Sequence, residues 1–318
     1  MKYTRFTILA LVFVIIITLM PSCYVFTYDE STSISNVSNE DNNSIELSGD
    51  IDDVTSNENF VESEQAKELL KVYFLDVGQG DCILITTPNG KNILIDSGQL
   101  STKEKVMTFL SEKGITEIEY AFFTHPHEDH IGAADVIINN IDVKNVYMPN
   151  VVATTQVYER LLTALEENDS VNVVQAKAGQ KLTLDGVFIE ILSPILDSYN
   201  EMNEYSIIMK ITYRKNKFLF MGDAHTTNEA DLIEAKIIVD ADVLKIGHHG
   251  SNSSTSIELL DAVTPDIAII SCGANNKYGH PHTGTIEKLT GITTYRTDIN
   301  GTIYISCDGE ELVTEVSK

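Results

Sequence analysis

Positive charge is scarce in this chain. Lys and Arg number 22 against 47 Asp and Glu in 318 residues, for a formal net charge of −25. Such a surface repels polyanions at long range and gives no support for a dedicated basic nucleic-acid-binding surface. Cysteine is scarce too. The four residues Cys23, Cys82, Cys272 and Cys307 form neither a disulfide framework nor a zinc-finger spacing. The last three lie on or beside apolar strand-like runs and are expected as small buried side chains. No Gly-rich phosphate loop leads into a helix, and no histidine occurs between His130 and His225. What is present is an apolar fraction of 43%, ample for a core in one or two domains.

The N-terminus reads as a targeting segment over residues 1–23. Lys2 and Arg5 precede the apolar run Phe6 to Met20, which has signal-peptide length and is short for a spanning helix. Leu19-Met-Pro-Ser-Cys23 then looks like a bacterial lipobox, in which Cys23 would carry a lipid. A plain cleaved signal or a signal anchor are the other readings. All three put the remaining chain outside the cytoplasmic membrane, lipid-anchored on its extracellular face or secreted. Residues 24–69 are rich in Ser, Asn, Asp and Glu without hydrophobic periodicity. Between Asp29 and Glu68, twelve acids face Lys67 alone. This stretch cannot bury enough surface to offset its chain entropy and is expected to be a self-repelling tether.

The folded domain is expected over residues 70–318. Lys71 to Asp76, Asp81 to Thr86 and Asn92 to Asp96 read as a β-meander, Lys103 to Lys113 as an amphipathic helix ended by Gly114, and Ile118 to Thr124 as a buried strand. That strand feeds Thr124-His-Pro-His-Glu-Asp-His-Ile-Gly132, where His125, His127, Asp129 and His130 fall within six residues. Pro126 and the coming helix force a tight loop. Imidazoles two apart can then point together while Asp129 and His130 turn toward a second position. One metal would be held by His125 and His127, and a neighbouring one by Asp129 and His130.

This stretch resembles the H-x-H-x-D-H signature of the metallo-β-lactamase superfamily. The resemblance implies an α/β fold of the four-layer αβ/βα sandwich type and one or two bound metal ions, Zn2+ or alternatively Mn2+. Leu75-Asp-Val-Gly-Gln-Gly-Asp81, Asn203-x-x-Ser206, Phe220-Met-Gly-Asp223, Leu244-Lys-Ile-Gly-His-His-Gly-Ser251 and Tyr278-Gly-His-Pro-His282 narrow it. Together they are similar to the extracellular metallo-hydrolase domain of the ComEC family of DNA-uptake proteins. Many superfamily members place a further first-site histidine where this chain has none; ComEC-like domains share the departure, with Asn and Ser where Asn203 and Ser206 stand.

Asp223, at the end of the strand Lys217 to Met221, is expected to bridge the two metals. One of His248 and His249 should complete the second metal, and resemblance to related esterases favours His249. His248 would pack beneath it or meet substrate, as an alternative ligand or contact together with Asn203 and His280. His225 reads as a bystander or as a group that packs behind the ligands. Asp76, Asp81 and Asp96 divide between satisfying loop amides and touching substrate, and Lys245 reads as decoration of a strand edge ahead of a cation near the site. Thr293 to Arg296 and Thr302 to Ser306 are expected to finish the second sheet, joined by a turn at Asp298 to Gly301. His280 and His282 either line the cleft or merely cap a helix, with His282 preferred as a proton donor.

A metal in such a site acidifies a bound water, so no serine or cysteine nucleophile is required. Asp129 would both ligate and orient. The expected activity is hydrolysis of a phosphodiester, in a small molecule or a polymer, of nucleic-acid or cell-wall type. A lactone or thioester hydrolase and a metal-containing surface binding module are the alternatives. The sequence assigns no oligomeric state.

Overall fold

In Leu70-Lys-Val-Tyr-Phe74 every second side chain is apolar and fully buried, which commits one face of the strand to a core. The computed structural model describes residues 68–318. The expected targeting segment 1–23 and, but for its last two residues, the acidic tether 24–69 lie outside the described residues. Among the described residues no helix is long and apolar enough to cross a membrane.

Among the described residues fifteen strands follow in chain order. The first six are β1 (Leu70–Phe74), β2 (Ile83–Thr86), β3 (Asn92–Ile95), β4 (Glu117–Phe122), β5 (Asp142–Met148) and β6 (Asn172–Gln175). The next seven are β7 (Lys181–Leu184), β8 (Val187–Ser193), β9 (Ile208–Tyr213), β10 (Asn216–Phe220), β11 (Val243–Lys245), β12 (Ile267–Ile270) and β13 (Thr293–Arg296). The last two are β14 (Ile303–Cys307) and β15 (Leu312–Val316). They form two mixed sheets, in the orders β15-β14-β1-β2-β3-β4-β5-β6 and β13-β12-β11-β10-β9-β8-β7. Each sheet is antiparallel in one part, as in the meander β1-β2-β3, and parallel in the other, along β3-β4-β5-β6 and β10-β11-β12-β13.

The two sheets pack face to face. Val72, Phe74, Ile83, Ile85 and Phe122 from the first meet Ile189, Met209, Ile211, Phe218 and Phe220 from the second. The alternate residues face outward and are covered by helices. Leu84, Leu94 and Ala121 lie against the helices Lys103–Glu112, Ala134–Asn140 and Gln156–Glu167. Leu219, Leu244 and Ala268 lie against the helices Thr226–Glu234 and Ile257–Val263. The result is the four-layer αβ/βα sandwich. Burial on both faces explains why β10 to β12 read as continuous apolar runs rather than alternating ones.

Two expectations are corrected. Ile303–Cys307 does not finish the second sheet; it crosses to the first and pairs antiparallel with β1, Ile303 opposite Phe74. The link is no hairpin turn either, because Thr297–Asn300 makes one helical turn that ends at Gly301 with φ of 70°. The reversal carries the chain between sheets, and β14 alternates Ile303, Ile305 and Cys307 into the core that both sheets share. Cys82, Cys272 and Cys307 are free and buried, as their apolar surroundings imply.

Candidate metal centre

The site lies outside the carboxyl ends of β4, β10, β11 and β12, where parallel strands of an open sheet leave a crevice. Beyond β4, Phe123 and Thr124 carry the chain to His125. His127 then stands in extended conformation as the N-cap of the short helix Glu128–Ile131. The helix places Asp129 and His130 in its first turn. His125 and His130 are buried, Asp129 is half-buried and His127 is exposed. Asp96, left-handed at φ 57° just after β3, holds this loop. One carboxylate oxygen accepts from the Thr124 amide at 2.7 Å, and the other lies 2.7 Å from both Thr124 Oγ1 and His130 Nδ1. With Nδ1 engaged, Nε2 of His130 is presented to the crevice.

Asp223 arrives from β10 through Gly222, and its amide donates to Ser206 Oγ at 3.1 Å. From β11 the chain enters the turn Gly247–Gly250, where His248 (φ 48°, ψ 42°) and His249 (φ 56°, ψ 24°) are both left-handed. Two consecutive side-chain-bearing residues in that region cost roughly 1–3 kcal/mol each, a strain characteristic of functional sites. The turn brings both rings to Asp223. Asp223 Oδ1 is 3.2 Å from His130 Nε2 and 3.3 Å from His249 Nε2. Asp223 Oδ2 is 3.8 Å from His125 Nε2 and 3.8 Å from His248 Nε2. Asp129 Oδ2 is 3.4 Å from His249 Nε2.

Two donor sets therefore meet at one carboxylate. His125, His130 and Asp223 have donor atoms within 4.8 Å of one another, as do Asp129, His130 and His249; Asp81 comes equally close to Asp223 and His249, and to Asp96 and His130. His127 and His248 stand at the edges of these groups. His127 Nδ1 reaches His125 Nε2 at 3.0 Å.

These residues fit a metal. His130 Nε2 and His249 Nε2 face each other at 3.3 Å. Two nitrogens bound at about 2.0–2.1 Å to one tetrahedral ion stand about 3.3 Å apart. Asp223 Oδ1 is buried and has no hydrogen bond of acceptable geometry, although both imidazoles are close. An ionised oxygen so placed needs a positive partner. The titration tendencies agree. Burial acts to lower His130, but Asp223 and Asp96 outweigh it and hold the imidazolium well above its ordinary range. Burial acts on His249 in the same way, and Asp223 and Asp129 raise it to about 10. Burial would raise Asp223, yet His130 and His249 hold it well below the usual carboxylate range. The carboxylates thus demand positive charge at the place where an ion would sit.

The interval without histidine is filled by Asn203, in the turn Met202–Tyr205. Its Nδ2 lies 3.2 Å from His248 Nε2 and 3.3 Å from His225 Nε2, while its Oδ1 is buried and unpartnered. His225 thus touches Asn203 and stacks on His248, with ring centroids 5.2 Å apart. The crevice itself is a cavity of about 620 Å³ lined by Gln79, His127, Asp223, Lys277, Tyr278 and His280 among others. His280 Nδ1 is buried without a partner, and its ring is 5.5 Å from that of His248. Burial first, then His249 and His248, pull His280 down to about 4, so it is neutral at physiological pH. His282 does not line the cavity: its Nδ1 accepts from the Asn252 amide at 3.0 Å, at the start of the helix Thr283–Lys288. A separate surface cavity of about 450 Å³, around Asp135, Glu159 and Arg160, contains no imidazole.

Lys245 is no edge decoration. It is fully buried and pairs with Asp81 at 2.9 Å, directly behind His249. A lone lysine inside the apolar run Val-Leu-Lys-Ile was the available signal, since a buried lysine needs an acidic partner.

Comparison with known proteins bears on the family and the fold. The family model described as the Metallo-beta-lactamase superfamily matches residues 75–274. The chain is 32% identical over 252 residues to ComE operon protein 3 of Bacillus subtilis, covering 73% of this chain and 32% of that protein. It is 34% identical over 230 residues to Recombination protein 2 of Haemophilus influenzae, covering 70% and 27%. It thus spans about a third of the length of these relatives. Among solved structures, the metallo-beta-lactamase fold protein YhfI from Bacillus subtilis has a TM-score of 0.51 at 12% identity, over 76% of this chain and 100% of that one. That likeness concerns the fold alone.

Proposed function

The chain belongs to the metallo-beta-lactamase superfamily, and from that premise we propose that it is a metal-dependent hydrolase of phosphodiesters, of nucleic-acid or cell-wall type. The observation that carries this reading is Asp223, whose two oxygens face two separate sets of imidazoles. The first position would draw on His125, His127 and Asp223, with His248 beside it; the second on Asp129, His130, His249 and Asp223. Zn2+ and Mn2+ both suit imidazole and carboxylate donors, and such an ion acidifies bound water and polarises a phosphoryl oxygen.

The chain's own residues supply orientation. Asp96 fixes the ring of His130, and Ser206 fixes the backbone of Asp223. Asp129, half-buried and 3.4 Å from His249, is held ionised by His249 and His130 against the effect of burial and can accept a hydrogen bond at the crevice. Neutral His280, which lines the cavity with its Nδ1 unpartnered, would donate a hydrogen bond to a substrate oxygen in preference to His282, which accepts from the Asn252 amide. Lys277 brings an ammonium to the cavity wall, where a phosphate would need one. The relative named for recombination favours nucleic acid among phosphodiesters. Folding of residues 70–318 behind an acidic tether and a lipid or signal anchor would hold this site outside the cytoplasmic membrane.

The test is a substrate panel of bis-p-nitrophenyl phosphate, lactones, thioesters and β-lactams, run on chelator-treated and metal-reloaded protein. Metal-dependent turnover led by the phosphodiester is expected. Faster turnover of a lactone or thioester would replace the substrate assignment.

A further inference from the structure

Asp76-x-Gly-x-Gly-Asp81 and the lysine of β11 have been given no role at the two ion positions, and they meet: Asp81 lies within 4.8 Å of His249 and Asp223, yet one of its oxygens is taken by Lys245. Lys245 and Asp81 are each 1% exposed. Lys245 Nζ lies 2.9 Å from Asp81 Oδ2 and donates to the Ile246 carbonyl at 2.9 Å. The other oxygen, Asp81 Oδ1, is buried, has no hydrogen-bond partner and lies 3.7 Å from His249 Nδ1. His249 Nδ1 is 3.0 Å from the Ser271 carbonyl. A carbonyl only accepts, so this nitrogen carries a proton in either state of the ring, and loss of the other proton to a bound ion would leave the lone pair on Nε2, facing the crevice.

The loop that carries Asp81 is itself clamped to the metal loop. The Asp81 amide donates to Asp129 O at 3.2 Å, and Gly98 N donates to Asp81 O at 2.7 Å. A Cβ at Gly80 would stand 2.2 Å from Asp129 O, and φ there is 127°, so only glycine permits this approach. A buried ion pair is a poor device for stability alone, because well-packed apolar side chains of similar volume serve as well or better. Its location points elsewhere.

We infer that Lys245 and Asp81 are positioning residues for His249: the ammonium pins the Asp81 carboxylate against the Nδ1 side of the ring and fixes the orientation in which Nε2 faces Asp129, His130 and Asp223. The inference rests on the metal-dependent hydrolase reading above. Outer groups of this kind typically govern metal affinity by 10–100-fold.

The experiment titrates zinc against a competing chelator in the full-length wild type, Lys245→Met, Asp81→Asn, the double variant and His249→Ala, and records melting with chelator present. The affinity that His249→Ala removes defines the second position. Each single variant and the double variant should weaken that affinity by about 10–100-fold. The double variant, which buries no unpaired charge, should recover most of the melting temperature that either single loses. Should the folded double variant bind zinc within twofold of wild type, the pair is structural only and the inference fails. A wild type whose zinc affinity is unchanged by His249→Ala would overturn the metal-centre reading beneath it as well.

Discussion

Asp96 Oδ2 stands 2.7 Å from Nδ1 of His130, and both side chains are fully buried. The contact ties the end of β3 to the metal loop after β4. It also leaves the ring a single orientation. Asp96→Asn keeps the shape and removes the charge, so it should lower metal affinity by about 10–100-fold. Chelator competition checks this, with circular dichroism confirming that the variant folds.

The two adjacent imidazoles should be unequal. His249 Nε2 contacts Asp129, His130 and Asp223, whereas His248 reaches Asp223 only at 3.8 Å and leans on Asn203. His249→Ala is therefore expected to reduce metal affinity at least roughly tenfold more than His248→Ala. Isothermal titration of the two variants with zinc gives the comparison, and the reverse order would exchange their roles.

How much of this was legible beforehand depends on how local each signal was. The metal loop, Asp223 and the His248-His249 turn announce themselves within a few residues, because few other roles use such types at such spacing. The preference for His249 over His248 rested on resemblance, and the left-handed geometry that aims both rings is invisible in residue types. Lys245 and Asp81 were each visible, but their pairing joins positions far apart in the chain. The crossing of β14 into the first sheet was hidden for a related reason: its alternation suits an inner face of either sheet. His280 and His282 are separated by one proline, and only the fold decides which lines the cavity.

The sandwich is held by contacts between sheets that do not touch the site. Phe74 of β1 and Phe220 of β10 stack across the interior with centroids 6.1 Å apart. Phe74→Ala should destabilise the domain by about 3–5 kcal/mol through lost burial and the cavity left behind. Urea denaturation with an unchanged slope would measure it.

Membrane attachment is a separate question that Cys23 can answer. If the lipobox operates, Cys23→Ser should move the protein from the membrane fraction to the medium, because two or more acyl chains anchor far more strongly than none. Fractionation and immunoblotting report the outcome. An unchanged distribution would favour a signal anchor.

The most direct test of the bridging carboxylate is elemental analysis of purified wild type and Asp223→Asn, paired with hydrolysis of bis-p-nitrophenyl phosphate. Two ions per chain are expected in the wild type. One or none, with turnover reduced on the order of a hundredfold or more, is expected in the variant. A metal-free wild type with full activity, or a variant that keeps both ions and its turnover, would contradict it.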